Sequence, residues 1–140
     1  MRDKIFLDTN LLVYAYDSTA DKKWRIASEI ISALWNYRTG VISTQVVQEF
    51  FVILTQKVTA PIPPEKAKEI IADLLRWPLV VNDGGNILRA VDLQIAYHFS
   101  FWDSLILQSA IVSGSDFLLS EDFQDGQVID SVTIANPFLE

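Results

Sequence analysis

Four acids stand at the margins of hydrophobic segments: Asp8 after IFL, Glu49 within QVVQEFFVIL, Asp103 after FSFW and Asp122 in FLLSEDF. A carboxylate in such surroundings is costly without a partner, so each position needs a reason. Singly, each has a plain one. Asp8 could cap the helix that follows it. Glu49 could turn to solvent, although Val46, Val47, Phe50 and Phe51 leave little polar surface nearby. Asp103 completes Ser100-Phe101-Trp102-Asp103, the spacing of a capping box, and a carboxylate is favoured near a helix N-terminus anyway. Asp122 lies in the acidic run SEDFQDG, where a solvated turn is the default.

Jointly the four point to metal chemistry. If folding brings them together they repel, by roughly 4 kcal/mol for two unit charges about 4 Å apart at an effective dielectric of 20. No Lys or Arg follows Arg89 to neutralise them; a divalent cation would. All-oxygen donors and the lack of cysteine favour Mg²⁺ or Mn²⁺ over zinc. His98, the only histidine, sits near a helix end and is expected to pack or cap rather than to ligate.

The elements that must position these acids alternate. Lys4 to Leu7 is expected as a short strand, followed by a helical segment after Asp8. Ser18 to Tyr37 has the spacing of one amphipathic helix, with Trp24, Ala27, Ile30, Ile31, Leu34 and Trp35 three and four apart. Val41-Ile42 follows as a strand, then a helix through Leu54 capped by Ser43 or Thr44. Three prolines in PIPP make a rigid connection, and Pro64 suits the first turn of a helix ending near Trp77. A strand over Leu79 to Val81, a turn at NDGGN and a helix from Ile87 to Tyr97 come next, the helix with Ile87, Leu88, Val91, Ile95 and Ala96 on one side. Ser100 can cap a helix through Val112, before strands at Phe117 to Leu119 and Val132 to Ile134. Such alternation predicts a mainly parallel sheet covered on both faces, whose ligands bind outside the carboxyl ends of the strands. Asp8 and Asp122 fall at such ends. Without repeats, low-complexity tracts or a flexible linker, residues 1–140 are expected to form a single domain.

The net charge of −7 is uneven. Through Arg89 there are 11 basic and 10 acidic residues; from Ala90 onward there are eight acids and no Lys or Arg. General adhesion to phosphate backbones favours the opposite sign, whereas an acidic half suits metal cations, a basic partner protein, or solubility alone. Neither a membrane span nor a signal peptide is expected, and a cytoplasmic protein is the simplest expectation.

IFLDTNLLVYAYD, ISTQVVQEFFVIL, FSFWDSLIL and FLLSEDF resemble, in that order, the motifs of the PIN domain family, most closely its VapC-like toxin type. The resemblance runs to about Gly126 and implies a three-layer, Rossmann-like α/β/α sandwich with a mainly parallel sheet. It also implies an Mg²⁺- or Mn²⁺-dependent ribonuclease, the toxin of a toxin–antitoxin pair. On this likeness Asp8, Glu49, Asp103 and Asp122 are the catalytic and metal-binding acids, with Asp8 and Asp103 as direct ligands. Thr9, Asn10 and Ser120 would orient carboxylates and water. Glu121 adjoins Asp122, and either could face the metal. Lys22, Lys23, Arg25 and Arg38 are candidates for holding RNA phosphates, as are Lys57, Lys66 and Lys68, with Trp24 or Trp35 for stacking. A cognate antitoxin and a homodimer are likewise implied.

Two rivals are set against this. Aspartyl-phosphate chemistry also begins from an Asp after a strand, but its phosphatase form wants a second Asp where Asn10 stands, and both forms want a late Lys that is lacking here. An inactive PIN-like module that binds RNA or protein would keep the fold without the cleavage.

Overall fold

The computed structural model describes residues 3–139. Its elements are β1 (Ile5–Leu7), α1 (Thr9–Ala15), a 3₁₀ turn (Ser18–Ala20), α2 (Lys22–Tyr37), β2 (Gly40–Ser43), α3 (Thr44–Gln56) and α4 (Pro64–Leu74). These are followed by β3 (Leu79–Val80), α5 (Gly84–Tyr97), α6 (Phe101–Val112), β4 (Phe117–Leu119), β5 (Val128–Ile129) and β6 (Val132–Ala135). Among the described residues the strands form one sheet in the order β3-β2-β1-β4-β6-β5. All neighbours are parallel except β5 and β6. From β1 the chain builds towards β2 and β3, then returns to add β4 and β6 on the other side. The order therefore reverses between β1 and β4, the crevice where α/β sheets hold ligands.

The strands carry the buried run expected of a sheet covered on both faces. Phe6, Leu7, Val41, Ile42 and Leu118 lie in the core with Leu11, Leu12, Val46, Phe50 and Leu107 from the helices. On the helical side, α1 packs on α2 and α3, and α3 on α4, while α5 and α6 pack on each other. Among the described residues no helix is long and apolar enough to cross a membrane.

Local sequence differs from expectation in four places. The expected single helix from Ser18 is broken at Asp21, whose φ of 55° lies in the left-handed region; Asp17 caps the short 3₁₀ turn before it. NDGGN is not a free turn. Asp83 caps α5 by accepting from Asn86 N at 2.9 Å, and the two glycines form its first residues. The apolar side of α5 faces solvent, with Leu88 and Ile95 69% and 68% exposed, while Asn86, Ala90 and Leu93 face the interior. Asn86 is held there by Gln108 Nε2, which donates to its Oδ1 at 3.2 Å. The strand β5, two residues long, pairs antiparallel with β6 and is too short to show a hydrophobic period. His98 is the left-handed C-cap of α5, as its place in the sequence indicated.

Candidate active site

Asp8 follows β1 directly, at the carboxyl end of the strand. It is the N-cap of α1, its Oδ1 accepting from Thr9 N at 2.7 Å, and its Oδ2 accepts from Ser120 Oγ at 2.7 Å. Its own N–H donates to Leu119 O at 3.1 Å, joining the end of β1 to the end of β4. Ser120 Oγ also accepts from Asp122 N at 3.1 Å, so one buried hydroxyl sets two of the acids.

The other acids reach the same edge from different elements. Ser43 ends β2 and caps α3, accepting from Val46 N at 3.3 Å. Glu49 then falls on the second turn of α3, where Thr9 Oγ1 donates to its Oε1 at 2.6 Å. Ser100 caps α6 by accepting from Asp103 N at 3.1 Å, which places Asp103 in the first turn. Because α6 leads back into β4, its N-terminus lies at the carboxyl end of the sheet. Asn10 Nδ2 reaches Asp122 Oδ2 at a long 3.4 Å.

Electrostatics report the convergence. Burial pushes the Asp8 carboxyl up to about 7, against the hydrogen bonds from Ser120 and Thr9, and the charges of Asp122 and Asp103 push the same way. Asp103 is raised by desolvation, opposed by Ser100, with the Glu49 charge adding to the rise. Asp122 is raised by desolvation and then by Asp103 and Glu121; a hydrogen bond with Asp8 and the Lys23 charge act in the opposite sense. All four acids named from the sequence thus interact across one edge.

The neighbouring Glu121 is turned elsewhere. Tyr14 OH donates to its Oε1 at 2.5 Å, and Lys23 Nζ pairs with its Oε2 at 2.8 Å. Lys23 also lies 5.0 Å from the Tyr14 ring centroid and 5.4 Å from that of Phe138. Asp122, not Glu121, is therefore the residue of that pair directed at Asp8. Tyr14 was not legible as part of this cluster, since nothing local ties it to a residue 107 positions away.

The basic candidates separate. Lys22, Lys23 and Arg25 lie in the first turn of α2, the end of the helix at which Lys23 meets Glu121. Arg38 ends α2 at the opposite, amino edge of the sheet, in a cavity with Gly40, Arg76 and Trp77. Trp35 also packs there, edge-on to Trp77 with centroids 5.2 Å apart, so it is not a stacking surface beside the acids. Trp24 is 40% exposed, and Trp102, one residue before Asp103, is 61% exposed.

The donor set suits a hard divalent ion: oxygen donors only, carboxyls raised by burial and further by one another's charge, and the nearby Lys23 engaged by Glu121. Among the described residues, however, no three acidic or imidazole side chains already form a group able to hold an ion. A shared ion would draw the acids closer than they stand.

Known proteins agree with this architecture. A toxin–antitoxin complex from Klebsiella pneumoniae is similar with a TM-score of 0.69 and 18% identity, over 96% of this chain and 98% of that one. VapBC2 from Rickettsia felis, solved with a fragment of its promoter DNA, gives 0.65 and 18% over 94% and 97%. VapC20 of Mycobacterium tuberculosis, described as a toxin that cleaves the sarcin–ricin loop, gives 0.63 and 15% over 82% and 87%. No curated protein matches the sequence. The profile of the PIN domain matches residues 5–124, a span that runs from β1 through Asp122. This chain belongs to the PIN domain family.

Proposed function

We propose that the protein is a metal-dependent ribonuclease that hydrolyses RNA phosphodiester bonds, the toxin of a toxin–antitoxin pair. The observation that carries this is the meeting of Asp8, Glu49, Asp103 and Asp122 at the reversal point of the sheet, with Asp8 raised to about 7. Asp8 and Asp103 are the direct ligands of Mg²⁺ or Mn²⁺, and Glu49 and Asp122 bind through water or serve a second ion. When bound, the ion supplies Lewis acidity to the phosphate and to the attacking water. Glu49 orients that water, and Thr9 fixes the Glu49 carboxylate through its 2.6 Å hydrogen bond. Ser120 aims Asp8, and Asn10 steadies Asp122.

Lys22 and Arg25 hold RNA phosphates beside this edge, while Lys23 screens Glu121. An antitoxin with a basic segment suits the acidic stretch after Arg89, and the similar Klebsiella toxin–antitoxin complex and Rickettsia VapBC2 support this pairing. A homodimer acting in the cytoplasm completes the proposal.

The test is incubation of purified protein with RNA and Mg²⁺ or Mn²⁺, with and without chelator, beside Asp8→Asn and Asp103→Asn. Cleavage that needs the ion and is lost in both variants supports the proposal. Equal cleavage by the wild type and Asp8→Asn refutes it. The second reading is an inactive module that binds RNA or protein. That reading requires no cleavage and no stabilisation by Mn²⁺.

A further inference from the structure

A groove beside the acids has no role in the scheme above. Its floor is one stripe of α3, where Gln45, Gln48, Glu49, Val52 and Ile53 recur at helical spacing, and Lys57 closes its far end. Trp102 forms the wall. The stripe from Gln45 to Lys57 is about 18 Å long at 1.5 Å per residue. Three of its features differ from an ordinary helix face.

First, Trp102 is 61% exposed beside Asp103 and is held rather than loose. Phe101 packs edge-on against it with centroids 5.2 Å apart, and Gln45 Nε2 donates to its backbone carbonyl at 3.1 Å. Second, that bond fixes the Gln45 amide, since only its NH₂ end can donate to a carbonyl. The remaining Oε1 is shielded from solvent and has no hydrogen-bond partner among the described residues, and Gln45 as a whole is 5% exposed. Buried acceptors are nearly always satisfied. Third, Lys57 places a cation at the far end of the groove, about two helical turns beyond the acid Glu49.

We infer that this groove, between Trp102 and the Gln45-to-Lys57 stripe of α3, is a subsite for one nucleotide of single-stranded RNA next to the cleaved phosphate. The base stacks on the Trp102 indole. Gln45 Oε1, uncovered as the base enters, accepts an N–H of its edge, and Lys57 takes the next phosphate. The lining is mainly apolar, and the Trp102 indole with the Lys57 cation matches a base and its phosphate; a peptide occupant would quench without base dependence. This inference rests on the ribonuclease proposal for its substrate, and its test separates the two.

Short RNA oligonucleotides are prepared with adenosine, purine riboside or an abasic residue beside the mapped cleavage bond. The wild type, Trp102→Ala and Gln45→Leu are compared by kcat/KM. Base-dependent quenching of tryptophan fluorescence is read on the same proteins without metal, with Trp102→Phe as the control. Stacking on one aromatic ring predicts a loss of roughly 5- to 100-fold for base-bearing substrates in Trp102→Ala. Cleavage of the abasic substrate stays unchanged. Gln45→Leu narrows the preference for adenosine over purine riboside, and Trp102→Phe removes the quench.

Because Trp102 is exposed, its replacements leave the fold intact even should Gln45→Leu prove unstable. Base-dependent quenching through Trp102 without any cleavage supports the subsite and overturns the ribonuclease proposal. Cleavage and quenching with the same base preference in wild type and Trp102→Ala overturn the subsite.

Discussion

Replacing Asp8 by Asn separates the cost of the acid from its use. Asn is as good a helix cap as Asp, and its amide can still accept from Thr9 N while its NH₂ meets the Ser120 hydroxyl. The charge is what disappears. Asp8 ionises at about 7 in the folded, metal-free protein against an ordinary value of 3.8. Between these values the folded chain holds a proton that the unfolded chain has released. Stability therefore falls as pH rises from about 4 to about 7, then levels. At about 1.4 kcal/mol per pH unit, the full loss is on the order of 4 kcal/mol. Asp8→Asn escapes it. In chelator the two proteins should melt together near pH 4, and above pH 7 the variant should melt roughly 10 to 15 °C higher. Added Mn²⁺ should raise the wild type and leave the variant unmoved. Melting curves that run parallel from pH 4 to 8 would refute the argument that Asp8 is a strained, buried carboxyl.

Other perturbations read other parts of the structure. Ser120→Ala removes a buried hydroxyl that serves both Asp8 and Asp122; it should cost about 1–3 kcal/mol and move the Asp8 transition in the melting curves to higher pH. In Gly40→Ala a new Cβ would lie 2.6 Å from the Trp77 ring, so urea titration should show a loss of about 1–3 kcal/mol with an unchanged slope. Lys23→Met breaks a pair whose lysine side chain is 44% exposed, and should cost less than about 1 kcal/mol. It should nonetheless shift the Mn²⁺ concentration giving half-maximal thermal stabilisation, and Glu121→Gln in the same chain should reverse that shift.

Much of the site was legible because its acids are set by local rules. Asp8 and Asp122 follow strands, Asp103 and Glu49 lie in the first two turns of helices, and the caps Ser43 and Ser100 could be read from the residues around them. Parallel pairing then brings strand ends to one edge whatever the loops do. Side-chain choices between neighbours were not legible. Glu121 and Asp122 are adjacent acids, and only Tyr14 and Lys23, distant in sequence, decide which one turns inward. Which face of α5 is buried was not legible for a similar reason. Hydrophobic spacing marks a helix, but a buried amide pair, Asn86 with Gln108, fixes the side that faces α6. Trp102 escaped notice because a tryptophan between Phe101 and Asp103 reads as core.

The margins of the sheet have a consequence for assembly. β3 at one end and β5 at the other are each two residues long. Exposed edge strands are templates for adding a foreign strand, and short ones offer few free backbone groups to grip. A companion chain must therefore dock on helices or on the carboxylate rim rather than zip onto the backbone, which also protects the fold against runaway polymerisation through its β-structure.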